Sequence, residues 1–382
     1  MNIKSIDARA IRVPLDESYH ESEAGIDSFN HVIATVSAEG YTGVGEADFL
    51  SLAQNSAPAV ASMMNRTVAD ELVGMDAFDI EGIVDRIVDE TELVLSPEST
   101  AGAMSCVDLA LWDLQGKALD LPAYKLLGGK VTDAVEVSYT LSASTPDEMA
   151  DSANEMIDYG YRTLVVKAGR DGLDVDRERM RQVRNTVGDD IEIRVDVNGG
   201  YADAEEAIAA IEMFEEYDVE YVEQPIERGD VDGMRKIRES VDVPVVADES
   251  LVTLEDAYRL AESDSFDIFN IKPTKCGGLH RSCKIAAVAE SAGIPCLVGG
   301  HPQQEIARQA SRHFAASRSA VNCGFANEGP GPASQSLVGH VTENVVTYDD
   351  VAELDGHVGV PDDPGLGVEL DSSAMDQFTV TS

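Results

Sequence analysis

The feature that most constrains the fold is a run of charged residues that each end an apolar, β-branched segment. They are Lys167 in TLVVKAG, Asp196 in RVDVNGGY, Glu223 in YVEQP, Asp248 in VVADES and Lys272 in FNIKPTKCGG. Successive members lie 29, 27, 25 and 24 residues apart, and each interval contains a polar segment of helical character. That length fits one strand-loop-helix unit, so the five residues are predicted to end successive parallel strands.

This alternation of strands and helices continues through most of the chain. Strands are expected near 134–140, 162–167, 191–196, 219–223, 243–247, 266–271, 295–298 and 320–325. Eight such strands predict a (β/α) barrel of the TIM type. No barrel helix is expected after the last strand, because residues 327–331 are rich in glycine and proline. The predicted architecture is therefore a (β/α)7β barrel that spans residues 129–340.

The chain before the barrel has a different pattern, with three strands followed by three helices. These elements are expected at 3–13, 31–37, 42–47, 58–65, 78–90 and 101–119. They predict an α+β capping domain over residues 1–128, to which the C-terminal segment 341–382 is expected to return. Loops 16–27 and 48–57 are rich in small and polar residues and are expected to close over a pocket.

The charge balance argues against two classes of partner. The chain has 28 Lys and Arg against 71 Asp and Glu, which gives a net charge of −43. So large a negative charge disfavours nucleic acid and anionic membranes. The acidic residues are spread along the chain, as in proteins of salt-saturated cytoplasm, where salt screens self-repulsion. We therefore expect a halophilic protein.

The cysteines and the N-terminus predict a cytoplasmic location. The five cysteines are an odd, unclustered set, which favours reduced thiols over disulfides or a metal site. The N-terminal residues alternate between apolar and polar, unlike a signal peptide. No apolar run is long enough to span a membrane.

The three acidic residues predict a metal site at the mouth of the barrel. Asp196, Glu223 and Asp248 would come from neighbouring strands 3, 4 and 5, at the end where barrel enzymes have their active sites. Three converging carboxylates repel one another unless a cation joins them, and oxygen ligands favour Mg²⁺ or Mn²⁺. Asn198 is a candidate to support these ligands. For any one of them, a helix cap or a surface position remains the alternative.

The two lysines predict acid-base chemistry. Lys167 and Lys272 would come from strands 2 and 6, on opposite walls of the barrel. A carboxylate substrate between them could lose a proton from the carbon next to its carboxylate, with the metal stabilising the enolate. To act as bases near neutral pH, the lysines need lowered pKa values, which a nearby cation and partial desolvation would favour.

The motifs resemble those of the enolase superfamily, specifically its muconate-lactonising-enzyme subgroup. Their order and spacing match across the barrel, and ALWDLQGKALDLPAYKLLGG, from Ala110 to Gly129, resembles the last helix of the family's capping domain. The resemblance implies that Asp196, Glu223 and Asp248 bind Mg²⁺. It also implies that Lys167 is the second lysine of the K-x-K motif, that Lys272 is the opposing acid/base, that the two loops select the substrate, and that the protein is a homo-oligomer.

Four residues depart from the family pattern or have a role that the resemblance leaves open. Val165 stands where the family usually has the first lysine of K-x-K, which removes a cation beside Lys167. His301, in LVGGHPQQE, resembles the catalytic histidine of the mandelate-racemase branch, but that branch has an aspartate where Lys272 stands. His301 is therefore a candidate catalytic, substrate-contacting or structural residue. Glu328 lies where family members often carry a glutamate, and Lys275 either faces the following loop or holds a substrate anion.

The predicted function is removal of the α-proton of a small carboxylate, leading to racemisation, epimerisation or cycloisomerisation. Dehydration of a sugar acid or hydroxy acid is the alternative within the fold, with His301 protonating the leaving hydroxyl. A Schiff-base aldolase that uses Lys272 is a different enzyme class on the same type of barrel. The non-enzymatic alternative, which only Val165 favours, is a barrel that binds an acidic ligand without turnover.

Overall fold

The computed structural model describes residues 1–14, 28–49, 56–300, 303–326, 341–342 and 348–380. Within these ranges the chain forms an antiparallel sheet with helices packed against it, followed by a curled parallel sheet whose strands alternate with helices. None of the described helices combines the length and apolar character needed to cross a membrane. The predicted barrel with an α+β capping domain is confirmed.

The N-terminal sheet is a meander of three antiparallel strands, β1 Ile3–Pro14, β2 Ser28–Ala38 and β3 Tyr41–Phe49. The turn between β2 and β3 has two residues with positive φ, Glu39 at 51° and Gly40 at 93°. Two such residues make the type of tight turn that matches the twist of a hairpin. The sequence therefore places this hairpin correctly.

Along the described part of the chain, five helices follow this sheet. They are α1 Ala57–Met63, α2 Ala69–Leu72, α3 Ile80–Thr91, α4 Pro97–Leu119 and α5 Ala123–Leu126, with a π-helical turn at Met64–Val68 between the first two.

Glycines on β3 let α4 approach closely. A Cβ at Gly43 would lie 2.0 Å from the carbonyl oxygen of Ala110, and one at Gly45 would lie 2.0 Å from that of Cys106. Side chains at these positions would push the helix away from the sheet.

The parallel sheet contains eight strands in the order in which they occur along the chain. They are β5 Tyr139–Leu141, β6 Thr163–Lys167, β7 Glu192–Asp196, β8 Val219–Glu223, β9 Val245–Ala247, β10 Ile268–Ile271, β11 Cys296–Gly299 and β12 Val321–Ala326. The helices are α6 Pro146–Asp158, α7 Leu173–Val187, α8 Ala204–Glu215, α9 Val231–Ser240, α10 Leu254–Ser263, α11 Pro273–Cys276, α12 Leu279–Ala292 and α13 Glu305–Ser317.

The strand expected at 134–140 divides into two elements. Its first part, β4 Ala134–Glu136, pairs antiparallel with β13 His357–Gly359 near the C-terminus, and its second part begins the parallel sheet. Two C-terminal helices flank β13, α14 Tyr348–Glu353 and α15 Ser372–Phe378.

The C-terminal segment also contacts the N-terminal unit. Leu366 N donates to Asp113 of α4 at 2.9 Å, and Thr379 forms a bridge to Ile11 of β1. The boundaries at 1–128, 129–340 and 341–382 stay a prediction.

The inside of the parallel sheet has an apolar layer made by Tyr221, Val246, Ile268 and Leu297, which are 0 to 7% exposed. Tyr221 and Val246 lie two residues before Glu223 and Asp248, so side-chain alternation places them on the same face of the sheet. Glu223 and Asp248 therefore lie next to apolar side chains on the inner face of the sheet.

Two buried carboxylates of the N-terminal unit cap helices of the barrel. Asp108 on α4 accepts hydrogen bonds from Leu279 N at 2.6 Å and His280 N at 3.3 Å, at the start of α12. Glu46 on β3 accepts from Gln304 N at 2.7 Å and Ala307 N at 3.0 Å, at the start of α13. Both helices follow the carboxyl ends of strands, so these contacts fix the capping unit over the barrel mouth.

We predict that Asp108→Ala and Glu46→Ala each lower the free energy of unfolding by about 1–3 kcal/mol, because each leaves buried backbone N–H groups without an acceptor. Urea unfolding followed by circular dichroism measures the change. Asp85→Ala, at an exposed position of α3, is the control and should change stability by less than about 0.5 kcal/mol. If the two buried variants match this control, the capping contacts do not hold the units together.

Candidate active site

The three predicted carboxylates lie side by side at the carboxyl ends of β7, β8 and β9. Asp196 pairs in register with Glu223, and Asp248 directly follows β9. All three are buried, with exposures of 7%, 3% and 2%. The neighbouring strand ends thus gather negative charge where water is largely excluded.

Lys167 lies at one end of this row. It pairs in register with Asp196, and its Nζ donates to Asp196 Oδ2 at 2.7 Å and to Asn198 Oδ1 at 2.6 Å. The ammonium therefore points toward the carboxylates, as the sequence predicts.

Lys272 lies at the other end of the row, directly after β10. Its Nζ donates to Asp248 Oδ2 at 2.6 Å, and the residue is only 6% exposed. Gly299, the last residue of β11, leaves space for it, since a Cβ there would lie 2.5 Å from Lys272 Cε. Three strands separate Lys272 from the strand of Lys167, which puts the two amines on opposite sides of the carboxylates.

Lys275 holds Asp248 rather than facing the following loop. Its Nζ donates to Asp248 Oδ1 and to the Asp248 carbonyl oxygen, both at 2.6 Å. The two carboxylate oxygens of Asp248 thus contact different lysines. This arrangement fixes the orientation of the carboxylate.

The electrostatics reflect this crowding of charge. Burial, together with the negative charges of Asp196 and Asp248, raises the pKa of Glu223 well above its usual range. Burial alone would lower the pKa of Lys272, but the charges of Asp248 and Glu223 outweigh it and raise that pKa. The direction for Lys272 is opposite to the lowered value expected from the sequence, because the expectation included a cation that offsets the carboxylates.

Glu249 is a site residue that was not predicted from the sequence. Asn198 Nδ2 donates to Glu249 Oε1 at 3.1 Å, and Asn198 N donates to Asp196 Oδ1 at 3.0 Å. Burial, with the charges of Asp248 and Asp196, raises the pKa of Glu249 to about 7. The pair of acidic residues in VVADES was a visible signal, but spacing alone does not show where the second one points.

Two further polar side chains, Asn270 and Gln303, lie beside the site. Asn270 on β10 donates from Nδ2 to Glu223 Oε1 at 2.8 Å. Gln303 Nε2 donates to Thr274 Oγ1 at 2.8 Å and to Asp48 Oδ2 at 3.0 Å, which connects the barrel mouth to the end of β3. Gln303 lies in the HPQQE segment, two residues after the candidate His301.

Some predicted residues lie outside the described ranges. They are His301, Glu328, all of loop 16–27 and residues 50–55 of loop 48–57. The roles suggested for them stay predictions.

The donors at the row suit a hard divalent cation, since they are carboxylate oxygens and Glu223 is under repulsion from both neighbours. Among the residues that the structure describes, no group of three His, Cys, Asp or Glu side chains is arranged so that it could hold a metal ion. Ammonium groups contact Asp196 Oδ2 and Asp248 Oδ2 instead. A cation that binds both oxygens would have to replace these contacts.

Comparison with known proteins assigns the chain to a family. Residues 6–128 match the family described as mandelate racemase / muconate lactonizing enzyme, N-terminal domain, and residues 148–374 match the enolase C-terminal domain-like family. The chain belongs to the mandelate racemase and muconate lactonizing enzyme subgroup of the enolase superfamily. Enzymes of this subgroup generally depend on a divalent metal ion.

Members of this subgroup with similar sequences catalyse isomerisations. The N-succinyl-L-Arg/Lys racemase of Bacillus cereus is 31% identical over 100% of this chain and 98% of its own length. Its crystal structure has a TM-score of 0.89, with 28% identity, and covers 100% of this chain and 99% of that one. The chloromuconate cycloisomerase of Cupriavidus necator is 30% identical over 99% of both chains.

A third relative was crystallised with a metal and a dipeptide. The dipeptide epimerase of Enterococcus faecalis, in complex with Mg and the dipeptide L-Leu-L-Tyr, has a TM-score of 0.83 at 28% identity. The match covers 97% of this chain and 100% of that one. Together these relatives show that the present chain is an isomerase.

We predict that the chain binds Mg²⁺ and that Glu223→Gln weakens binding at least about 10-fold, because it removes the central negative charge of the row. Isothermal titration with MgCl2 measures the affinity. Glu239→Gln, at an exposed position of α9, is the matched control and should bind as the wild type does. Equal affinity of both variants would remove Glu223 from the set of metal ligands.

Proposed function

We propose that this protein is a Mg²⁺-dependent racemase or epimerase of N-acylated α-amino acids or dipeptides, which moves the proton on the carbon next to the carboxylate. One observation carries the proposal. Lys167 and Lys272 stand at the two ends of the carboxylate row, and each donates to a different member of it. A carbon held above the row would have an amine on each face.

A bound Mg²⁺ supplies positive charge that favours the carbanionic form of a substrate carboxylate. Asp196, Glu223 and Asp248 would hold it. Mn²⁺ suits the same donors.

The lysines exchange a proton with the substrate. In one direction Lys167 removes the α-proton as a free amine, and Lys272 returns a proton to the opposite face as an ammonium. In the other direction their roles reverse, so a turnover leaves each lysine in the protonation state that the reverse reaction needs. The burial of Lys272 and Asp248 limits water at this side and protects the intermediate from unspecific protonation.

Two lysines favour racemisation over cycloisomerisation, which needs only one of them. The relatives support the same class of reaction, because they include a racemase of N-succinyl amino acids and an epimerase of dipeptides. Relatives that are cycloisomerases keep lactone formation as the alternative outcome. The described residues around the row offer no feature that favours the dehydratase, which depends on His301.

A homo-oligomer, a cytoplasmic location and halophilic behaviour stay predictions.

The test is hydrogen exchange in D2O. We expect the wild type with Mg²⁺ to exchange the α-hydrogen of at least one of N-succinyl-arginine, N-succinyl-lysine or L-Ala-Glu, starting from either stereoisomer. Proton NMR follows the loss of the α-hydrogen signal, and polarimetry follows inversion. Cis,cis-muconate is included to detect cycloisomerisation by its ultraviolet absorbance.

Single lysine variants test the two-sided assignment. Lys167→Ala and Lys272→Ala should each abolish inversion, while each keeps exchange from one stereoisomer, a different one for each variant. Lys4→Ala, at an exposed position of β1, should leave both reactions unchanged. No exchange from any of the amino-acid substrates, or loss of both exchanges in both lysine variants, contradicts the two-base proposal.

A further inference from the structure

We infer that Glu249 is a positioning residue that acts through Asn198 to hold Lys167 for proton transfer on one face of the substrate. This inference rests on the proposed function. Glu249 directly follows the metal-ligand candidate Asp248. The spacing of the strand-end residues predicts no role for Glu249 itself.

The contacts form a continuous chain. Lys167 Nζ donates to Asn198 Oδ1 at 2.6 Å, and Asn198 Nδ2 donates to Glu249 Oε1 at 3.1 Å. The backbone N–H of Asn198 donates to Asp196 Oδ1 at 3.0 Å, and the residue has a φ of 47°. Asn198 is therefore held at both its backbone and its side chain.

The acceptor at residue 249 decides which way the amide of Asn198 points. A carboxylate only accepts hydrogen bonds, so it binds the NH2 group and leaves the carbonyl oxygen to face Lys167. If the amide were reversed, its NH2 group would face the Lys167 ammonium, and two donors would oppose each other. Glu249 thus orients the group that anchors the lysine.

The Asn198–Glu249 pair lies on the Lys167 side of the carboxylate row. Lys272 contacts Asp248, whose other oxygen is held by Lys275, so neither Asn198 nor Glu249 hydrogen-bonds to this lysine among the described contacts. Loss of the Glu249 contact should therefore impair proton transfer by Lys167 far more than transfer by Lys272. A residue that only stabilised the fold, or that bound the metal, would affect both faces.

Two substitutions at residue 249 separate the hydrogen bond from the charge. Glu249→Leu removes both, whereas Glu249→Gln removes the charge and keeps an oxygen that accepts from Asn198 Nδ2. Both variants remove the negative charge of Glu249, which acts on Lys272. Asn198→Gly is a second route to the same loss, because glycine keeps the positive φ and removes the amide.

The measurement is α-hydrogen exchange in D2O with Mg²⁺ from each stereoisomer of N-succinyl-arginine, or of L-Ala-Glu if the wild type exchanges only that pair. We expect Glu249→Leu and Asn198→Gly to slow exchange from one stereoisomer by about 10- to 100-fold and from the other by less than about 3-fold. Glu249→Gln should recover most of the lost rate. The double variant Glu249→Leu/Asn198→Gly should be no slower than Asn198→Gly alone, since both substitutions act through the same Asn198–Glu249 contact.

Isothermal titration should give Glu249→Leu and Glu249→Gln the same Mg²⁺ affinity, because both lose the charge that Glu249 places near the carboxylate row. Glu290→Leu, on the exposed face of α12, should match the wild type in every rate. The inference is overturned by equal slowing from both stereoisomers, by a Gln variant as slow as the Leu variant, or by weaker Mg²⁺ binding in the Leu variant than in the Gln variant. A wild type that exchanges neither stereoisomer refutes the proposed function instead. A crystal structure of Glu249→Leu then decides the inference separately, because Lys167 still bonded to Asn198 as in the wild type would overturn it.

Discussion

Three neighbouring strands bring carboxylates together and bury them, and the site depends on how the repulsion among these carboxylates is compensated. Asp196, Glu223 and Asp248 are at most 7% exposed, and the charges of the outer two raise the pKa of Glu223. Such a row is stable only if positive charge compensates it. Here the compensation comes from Lys167 and Lys272, which lie where the proposed chemistry needs them. The attraction that stabilises the row therefore also directs both amines toward it, one from each end.

The capping unit uses the same kind of interaction for a different purpose. Asp108 and Glu46 are buried acceptors for the N–H groups at the starts of α12 and α13, the helices that follow β10 and β11. Gly278, with a φ of 105°, has no room for a side chain beside Asp108, since a Cβ there would lie 2.4 Å from it. The cap is thus locked over the strand ends that carry Lys272.

Strand ends and their spacing were enough to predict the barrel and to bring the charged row together, because parallel strands present their carboxyl ends at one edge. The rest depended on side-chain directions that spacing does not specify. Lys275 turns back to Asp248, and Glu249 turns toward Asn198. The division of segment 134–140 was missed because its first half pairs with β13, more than 200 residues away, which local periodicity cannot reveal.

We propose that three carboxylates share one cation between two opposed lysines. A crystal structure of the protein soaked in MnCl2, with anomalous diffraction at the manganese edge, tests this arrangement most directly. We expect one strong peak in contact with oxygens of Asp196, Glu223 and Asp248, with the Lys167 and Lys272 amines released from Oδ2 of their present partners. Both ammonium contacts intact, with no peak at the row, would contradict it.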